Sequence, residues 1–300
     1  MKSLSDIAYQ IEGQPMFKIL DLAQKLEREG KEILHFELGE PDFDTPSNII
    51  DAACNALKSG DTHYTSSMGL YDFRVVAQKA TLHSRGFLPT LEQVLVAPGA
   101  NSIIYFTIKC LVNPGDEVIV PDPGFPTYYS AIKACGAKAV TVKLKEENQF
   151  RLNPEDLKDA ITGKTRLIIL NTPSNPTGSV MLPSEIERVA QIAKESDIYL
   201  LSDEIYGRLI FNNEKSFKSP SYIDHCKERT IILNGFSKAF AMTGWRLGVA
   251  IGPEEVIEKM AKEKAVSENT IVFNNLLNTL GEWQDFWEVP ASESWHNRFF

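Results

Sequence analysis

The sequence predicts an α/β protein with a mostly parallel sheet and helices on both faces of that sheet. Two observations favour this fold class. Short apolar runs alternate with stretches of helical periodicity from about residue 45 to residue 250. One run, residues 167–170, is apolar throughout, which is typical of a parallel strand buried on both faces. With 43% hydrophobic residues, the 300-residue chain can bury a large core in one domain or two.

The predicted elements follow an irregular arm over residues 1–16. A helix is expected over residues 19–26, ending at Gly30, and then a short strand over residues 33–36. Ser47 is expected to cap the next helix. Further strands are predicted at residues 94–97, 118–120, 140–144, 167–170, 198–201 and 230–233. Further helices are predicted at residues 100–111, 185–195 and 253–265.

Composition and charge argue against several classes of function. The formal net charge is −9 and no block of Lys or Arg stands out, so nucleic acid and anionic membranes are not expected partners. The first residues lack the apolar core of a signal peptide, and no apolar run has the length of a membrane span. The four cysteines are scattered without a Cys-x-x-Cys pair: Cys54, Cys110, Cys135 and Cys226. We therefore expect reduced thiols, a cytoplasmic protein and no metal site.

Residues 233–252 contain the residue with the clearest chemistry. Lys238 lies among small and aromatic residues just after a predicted buried strand, and Arg246 follows eight positions later. Lysine is rarely buried without a function. In an apolar setting its pKa falls, and its amine can attack a carbonyl to form a Schiff base. A surface lysine on a loop is the alternative interpretation.

Two segments resemble those of a known enzyme family. Residues 237–248, Ser-Lys-Ala-Phe-Ala-Met-Thr-Gly-Trp-Arg-Leu-Gly, look like the lysine segment of the class I/II aminotransferases, which are pyridoxal-phosphate (PLP) enzymes of fold type I. The Asn-Pro-Thr-Gly of residues 175–178 is similar to a second specific segment of that family. The resemblance implies the fold type I large domain. It also implies that Lys238 carries the cofactor as an internal aldimine and that Arg246 binds its phosphate.

The resemblance implies further groups around the cofactor phosphate. A glycine turn feeds the predicted helix at residue 100, and free backbone N–H groups and the helix dipole favour an anion there, although such turns are common. The turn matches the family's phosphate loop, which implies a binding role for Gly99, Ala100 and Asn101. Many relatives carry a hydroxyl at the position of Gly235, and Ser237 is expected to compensate for its absence.

Four side chains are implied around the cofactor ring. Asp203 follows a predicted buried strand, where an acid is costly without a cationic partner such as a protonated pyridine nitrogen. Capping of the following helix is the alternative role for this acid. Asn175 and Tyr206 match the family residues that bond the cofactor's phenolate oxygen. Phe125 matches the aromatic residue that stacks on the ring, with simple core packing as its alternative.

The resemblance implies binding roles for two more residues, one toward the substrate and one toward a partner subunit. Gly39, in Leu-Gly-Glu-Pro-Asp-Phe, matches the glycine whose backbone N–H meets the substrate α-carboxylate, and a plain turn is its alternative. Asn175 is also expected to contact the substrate. Tyr64 matches a tyrosine that reaches the partner's cofactor phosphate across a dimer interface. A buried tyrosine with one satisfied hydroxyl is the alternative for that position.

The expected function is a PLP-dependent aminotransferase. It would move an amino group between an L-amino acid and a 2-oxo acid through the Lys238 aldimine, with Lys238 also moving the Cα proton. Asp203 and Tyr206 complete the expected catalytic set. A homodimer in the cytoplasm is implied. The alternatives are a PLP lyase or synthase of the same fold, and a PLP-binding sensor or catalytically impaired remnant.

Three regions are predicted along the chain. An N-terminal arm with part of a small domain covers residues 1–45, and a PLP-binding large domain covers residues 46–252. A linking helix and a truncated or atypical segment cover residues 253–300. The composition shifts in that last segment, which contains three of the four tryptophans, Trp283, Trp287 and Trp295.

The last region departs from the family in its substrate-binding arginine. A C-terminal arginine of the family grips the substrate α-carboxylate, but no arginine lies between Arg246 and Arg298 here. The apolar face of the predicted helix at residues 253–265 is expected to lose its packing partner. From these features we expect a truncated or fused product that binds amino acids poorly.

Overall fold

The computed structural model describes residues 3–5, 8–9, 13–211 and 217–267. A seven-stranded sheet lies at its centre, in the order β1-β7-β6-β5-β4-β2-β3. Its strands are β1 (Val94–Ala97), β2 (Glu117–Asp122), β3 (Lys138–Lys143), β4 (Thr165–Asn171), β5 (Tyr199–Asp203), β6 (Thr230–Gly235) and β7 (Gly248–Ile251). The six strands predicted between residues 94 and 233 are confirmed, and β7 is an addition to them.

The direction of the strands places most loops of interest at one edge. Strands β2 to β6 are parallel to their neighbours, whereas β7 runs antiparallel to both β6 and β1. Because β7 is antiparallel to both of its neighbours, β1 and β6 run in the same direction. The carboxyl ends of six strands and the amino end of β7 therefore share one edge. The predicted fold class, α/β with a mostly parallel sheet, is confirmed.

The described residues include eight α-helices with assigned bounds. They are α1 (Pro15–Arg28), α2 (Ser47–Lys58), α3 (Tyr71–Arg85), α4 (Ala100–Leu111), α5 (Pro126–Ala134), α6 (Pro154–Asp159), α7 (Pro183–Glu195) and α8 (Glu254–Ser267). Seven of them, α2 to α8, pack against the sheet. The prediction that Ser47 caps α2 is wrong, because the helix already includes Ser47. Pro46 occupies the cap position, and no side chain accepts a bond from the first turn.

The hydrophobic core has one layer on each face of the sheet. In β1, Leu95 and Ala97 point to one layer, while Val94 and Val96 point to the other, as the two-residue period of a strand requires. Helices α4, α5 and α8 supply residues to the first layer. On the opposite face, α2 and α3 pack near β1 and β7, whereas α6 and α7 pack near β2 and β4. Helices thus lie on both faces, as predicted.

The short strand predicted at residues 33–36 is absent. Leu34 is 79% exposed and Phe36 is 90% exposed, and no strand of the described chain pairs with this segment. A strand needs a neighbour to satisfy its backbone groups. The local apolar pattern is therefore insufficient to make one here.

Helix α8 does not behave as the sequence led us to expect. Its apolar face, formed by Val256, Ile257, Met260 and Ala261, is buried in the same core layer as α4. The hydroxyl of Thr107 in α4 donates to Met260 Sδ at 3.8 Å. The buried Lys264 amine donates to Val96 O at 2.9 Å and to Ser67 O at 3.0 Å. The expectation of an exposed apolar face was wrong, because α4 and β1 supply the partners.

Other sequence-based expectations concern the cysteines, metal sites and membrane spans. The thiols of Cys54, Cys110, Cys135 and Cys226 are free. Across the described residues, no cluster of His, Cys, Asp and Glu side chains could hold a metal ion. No helix in the same part of the chain is long and apolar enough to span a bilayer. Arg298 and the three tryptophans of the final segment lie outside the described residues, and the domain boundaries and cytoplasmic location stay predictions.

Candidate active site

Four neighbouring strands deliver the predicted site residues to the common edge. The loop after β2 leads to Phe125, and the loop after β4 leads to Asn175. Asp203 is the last residue of β5, and Lys238 lies three residues beyond β6. In open α/β sheets, ligands bind outside the carboxyl ends of strands. This edge is therefore the candidate active site.

Asp203 is a buried acid held by two donors. The Tyr128 hydroxyl donates to its Oδ2 at 2.6 Å, and the Ile205 backbone N–H donates to its Oδ1 at 3.2 Å. Burial raises the pKa of Asp203 to about 6, although both of these bonds oppose the rise. The nearby charge of Glu204 adds to the increase in pKa. An ionised carboxylate in this position gains most from a cationic ligand.

Tyr128 is a site residue that the sequence reasoning missed. It is fully buried in α5, and burial together with the Asp203 charge raises the pKa of its hydroxyl well above the ordinary value. Its ring meets that of Phe125 edge-on, with centroids 5.7 Å apart. The three-residue spacing from Phe125 into a helix was an available signal, since such residues share a helix face. Only the fold could reveal that this face meets Asp203.

Lys238 lies half-buried beside the loop that contains Gly39. Its amine donates to the Gly39 carbonyl oxygen at 2.5 Å. Burial lowers the pKa of Lys238, the Glu40 charge opposes that change, and the Arg246 charge adds to it. A lowered pKa leaves more of the amine neutral, which is the form that attacks a carbonyl. The structure thus brings the predicted lysine and the predicted substrate glycine together.

The glycine turn and Arg246 form a candidate anion-binding corner. Gly99 precedes α4 with a positive φ of 84°, and no side chain caps the helix. A Cβ atom on Gly99 would lie 2.9 Å from Arg246 Cζ, so the guanidinium packs directly against this turn. The Arg246 Nη1 group donates to the Thr243 carbonyl at 2.9 Å. Free helix N–H groups and an arginine are both suited to a phosphate.

Gly235 has a packing reason for lacking a side chain. A Cβ atom there would lie 2.7 Å from Ile205 Cδ1 and 3.3 Å from the Leu247 carbonyl oxygen. A side chain at this position would therefore require the Ile205 side chain to shift. Ser237 is buried two residues further on. Its compensating role stays a prediction.

Asn175 and Tyr206 lie together at the ends of adjacent strands. The Asn175 backbone N–H donates to Asn171 Oδ1 at 2.7 Å, which fixes the loop. Burial and the Asp203 charge raise the pKa of Tyr206, and a side-chain hydrogen bond with Asn175 opposes that rise. The two side chains predicted for one cofactor oxygen are thus mutual neighbours.

One of the predicted residues stands apart from this group, and another lies at its edge. Tyr64 is 76% exposed, and no described contact joins it to the other site residues. That placement agrees with a role toward another subunit and does not test it. Asn101 is half-buried in the first turn of α4, at the anion-binding corner.

A half-buried lysine, a buried acid and a glycine turn packed against an arginine lie at one edge of this sheet, an arrangement typical of the fold type I class of PLP proteins. The class I and II aminotransferase family matches residues 31–270, and the chain belongs to that family. The family is PLP-dependent. The donor set fits that cofactor, with groups for its phosphate, ring nitrogen, phenolate oxygen, ring face and aldehyde carbon.

Comparison with individual proteins gives the same family. The chain is 40% identical over 261 residues to aromatic-amino-acid aminotransferase 2 of Thermococcus litoralis. This match covers 87% of this chain and 66% of the relative. The chain is 39% identical over 261 residues to an aspartate aminotransferase of Pyrococcus abyssi, with the same coverage. The chain thus spans just under two thirds of the length of these relatives.

A solved structure extends the likeness to the fold. Aspartate aminotransferase from Thermus thermophilus with maleate matches with a TM-score of 0.90 and 32% identity. The match covers 99% of this chain and 78% of that chain.

Proposed function

We propose that this chain is a PLP-dependent aminotransferase that moves an amino group between an L-amino acid and a 2-oxo acid. The observation that carries the proposal is the delivery of Lys238 and Asp203 by adjacent strands to one edge of the sheet. The names of the relatives, aspartate and aromatic-amino-acid aminotransferases, support it and suggest dicarboxylic or aromatic substrates.

The residues divide the task between binding and proton transfer. The bound cofactor supplies an electron sink for the substrate carbanion. Arg246 and the N-terminus of α4 would hold its phosphate, and Phe125 would fix the plane of its ring. Asp203 would keep its ring nitrogen protonated, because a buried carboxylate is stabilised by a cation. Asn175 and Tyr206 would donate to its phenolate oxygen.

Lys238 would serve as both anchor and proton carrier. Its lowered pKa favours the neutral amine, which can bond the cofactor's aldehyde carbon and, once displaced, take the substrate Cα proton. The contact with Gly39 O places this amine beside the loop expected to meet the substrate α-carboxylate. The lysine and the carboxylate-binding N–H would therefore act on adjacent groups of one substrate, the Cα proton and the α-carboxylate.

Product analysis with the full chain and PLP tests this proposal. We expect aspartate or an aromatic amino acid, with 2-oxoglutarate as acceptor, to give one equivalent of new 2-oxo acid for each glutamate formed. Lys238→Ala should abolish this exchange, whereas Lys18→Ala, an exposed lysine in α1, should not. Release of ammonia in place of glutamate would instead indicate a lyase of the same fold and contradict the proposal.

A further inference from the structure

His35 joins two carboxylates on either side of its ring. Its Nδ1 atom lies 2.6 Å from Glu37 Oε1, and its Nε2 atom lies 2.8 Å from Glu27 Oε1. Glu27 belongs to the last turn of α1, whereas Glu37 lies two residues before Gly39. The ring therefore bridges a helix and the segment expected to bind the substrate carboxylate.

The bridge needs a doubly protonated ring. An ionised carboxylate only accepts hydrogen bonds, so both ring nitrogens must donate, and only imidazolium has two N–H groups. The bonds to Glu27 and to Glu37 raise the pKa of His35 to about 9. The bond to His35 in turn lowers the pKa of Glu37. At neutral pH the His35 ring is therefore protonated.

The charged groups around His35 are few. Glu27 faces it from α1 and Glu37 from its own segment, and these two supply the charges that act on its pKa. The nearby Lys31, three residues beyond α1, has its Nζ atom 4.0 Å from Glu29 Oε2. The side chain of Glu37 is 7% exposed, whereas that of His35 is 40% exposed.

The segment of residues 33–40, which contains His35, has little backbone support. Residues 33–36 pair with no strand of the described chain. Gly39 is held through its carbonyl oxygen by Lys238, and Glu40 accepts a hydrogen bond from the Thr243 hydroxyl at 3.0 Å. Those two contacts fix the far end of the segment. The His35 bridge is the described contact that fixes its near end to α1.

We propose that His35 is a positioning residue that, through Glu37, holds the Gly39 backbone N–H ready for the substrate α-carboxylate. The inference rests on the proposed function, because it assigns the carboxylate to Gly39. Loss of the bridge should weaken binding of carboxylate substrates more than it slows the chemical step. The effect should also appear when the wild-type ring loses its proton at high pH.

Steady-state kinetics of the PLP-loaded chain separate these effects. The varied substrate is a 2-oxo acid, which has no group that titrates near pH 9. His35→Gln should raise its KM at pH 7 roughly two- to fivefold, the scale of an exposed charge pair, with kcat changed less than about twofold. His35→Arg keeps a charged donor at all these pH values. The wild-type KM should rise between about pH 8 and pH 10, and the arginine variant should lack that rise.

Amide hydrogen exchange of residues 37–40 provides a readout that does not depend on turnover. Exchange should be faster in His35→Gln than in wild type at pH 7 and unchanged in His35→Arg. Equal KM and equal exchange in wild type and His35→Gln would overturn the proposal. A wild-type chain that never transaminates would refute the proposed function, and the exchange comparison would still decide whether the bridge holds the segment.

Discussion

At the scale of single residues, Asp203 links the chemistry of the site to the stability of the fold. Burial gives it a pKa of about 6, compared with an ordinary value of 3.8. The folded chain without cofactor therefore binds a proton that the unfolded chain has lost between these pH values. Because the folded pKa is raised, ionisation destabilises the fold as the pH rises from about 4 to about 6. The loss is on the order of 3 kcal/mol.

Asp203→Asn should remove this pH dependence. Without cofactor, the free energy of unfolding of wild type should fall relative to that of the variant as the pH rises from 4 to 6.5. Urea denaturation of both proteins across this range measures the difference. Asp51→Asn, at an exposed position of α2, is the matched control and should follow wild type. If the unfolding free energies of wild type and Asp203→Asn changed in parallel with pH, Asp203 would not be a buried carboxyl with a raised pKa.

Lys238→Ala should abolish the pH-dependent yellow absorbance of lysine-bound PLP. The variant lacks the only amine that the structure places beside Gly39 in the described site. Spectra recorded between pH 5 and pH 9 report the covalent link directly. Persistence of the same yellow, titrating species would mean that another lysine holds the cofactor.

At the scale of elements, α8 shows what an amphipathic pattern can and cannot establish. The sequence indicated a helix with Val256, Ile257, Met260 and Ala261 on one face, and this face exists. The sequence did not reveal its partner, because burial depends on which elements meet in three dimensions. For the apolar residues 33–36 the error was the opposite. The sequence predicted a strand there, but no strand of the described chain pairs with them.

Met260→Ala should destabilise the fold by about 2–5 kcal/mol, the range for large-to-small changes in a core. Met260 is fully buried against α4, where Thr107 contacts its sulfur. Val266→Ala, at a position of the same helix that is 89% exposed, should change stability by less than about 0.5 kcal/mol. Urea denaturation compares the two variants. Equal effects would show that α8 is not packed against α4 in solution.

At the scale of the whole molecule, most of the sheet could be predicted and some of the site could not. Once the strands are known to be parallel, their carboxyl ends place Lys238 and Asp203 at one edge of the sheet. The apolar runs in the sequence already indicate that the strands are parallel. Tyr128 was missed because its partner is 75 residues away in sequence. The His35 bridge was missed because Glu27 is brought to it by the turn that follows α1. Long-range pairs of polar groups have no periodic signal in a sequence.

The largest-scale prediction is a two-fold dimer in which Tyr64 completes the phosphate site of its neighbour. The exposure of Tyr64 in one chain leaves it available for such a contact. If it acts across the interface, Tyr64→Phe should weaken PLP binding roughly tenfold, the scale of one hydrogen bond to a charged group.

Mixing variants decides whether Tyr64 acts across the interface. In a mixed dimer of Tyr64→Phe and Lys238→Ala chains, the intact Lys238 of the first chain receives the intact Tyr64 of the second. Unfolding and refolding the two variants together should therefore restore one tight PLP site per mixed dimer, measured by absorbance titration. If Tyr64 acted within its own chain, mixing would restore none. A chain that sediments as a monomer while binding PLP tightly and turning over would also exclude the dimeric site.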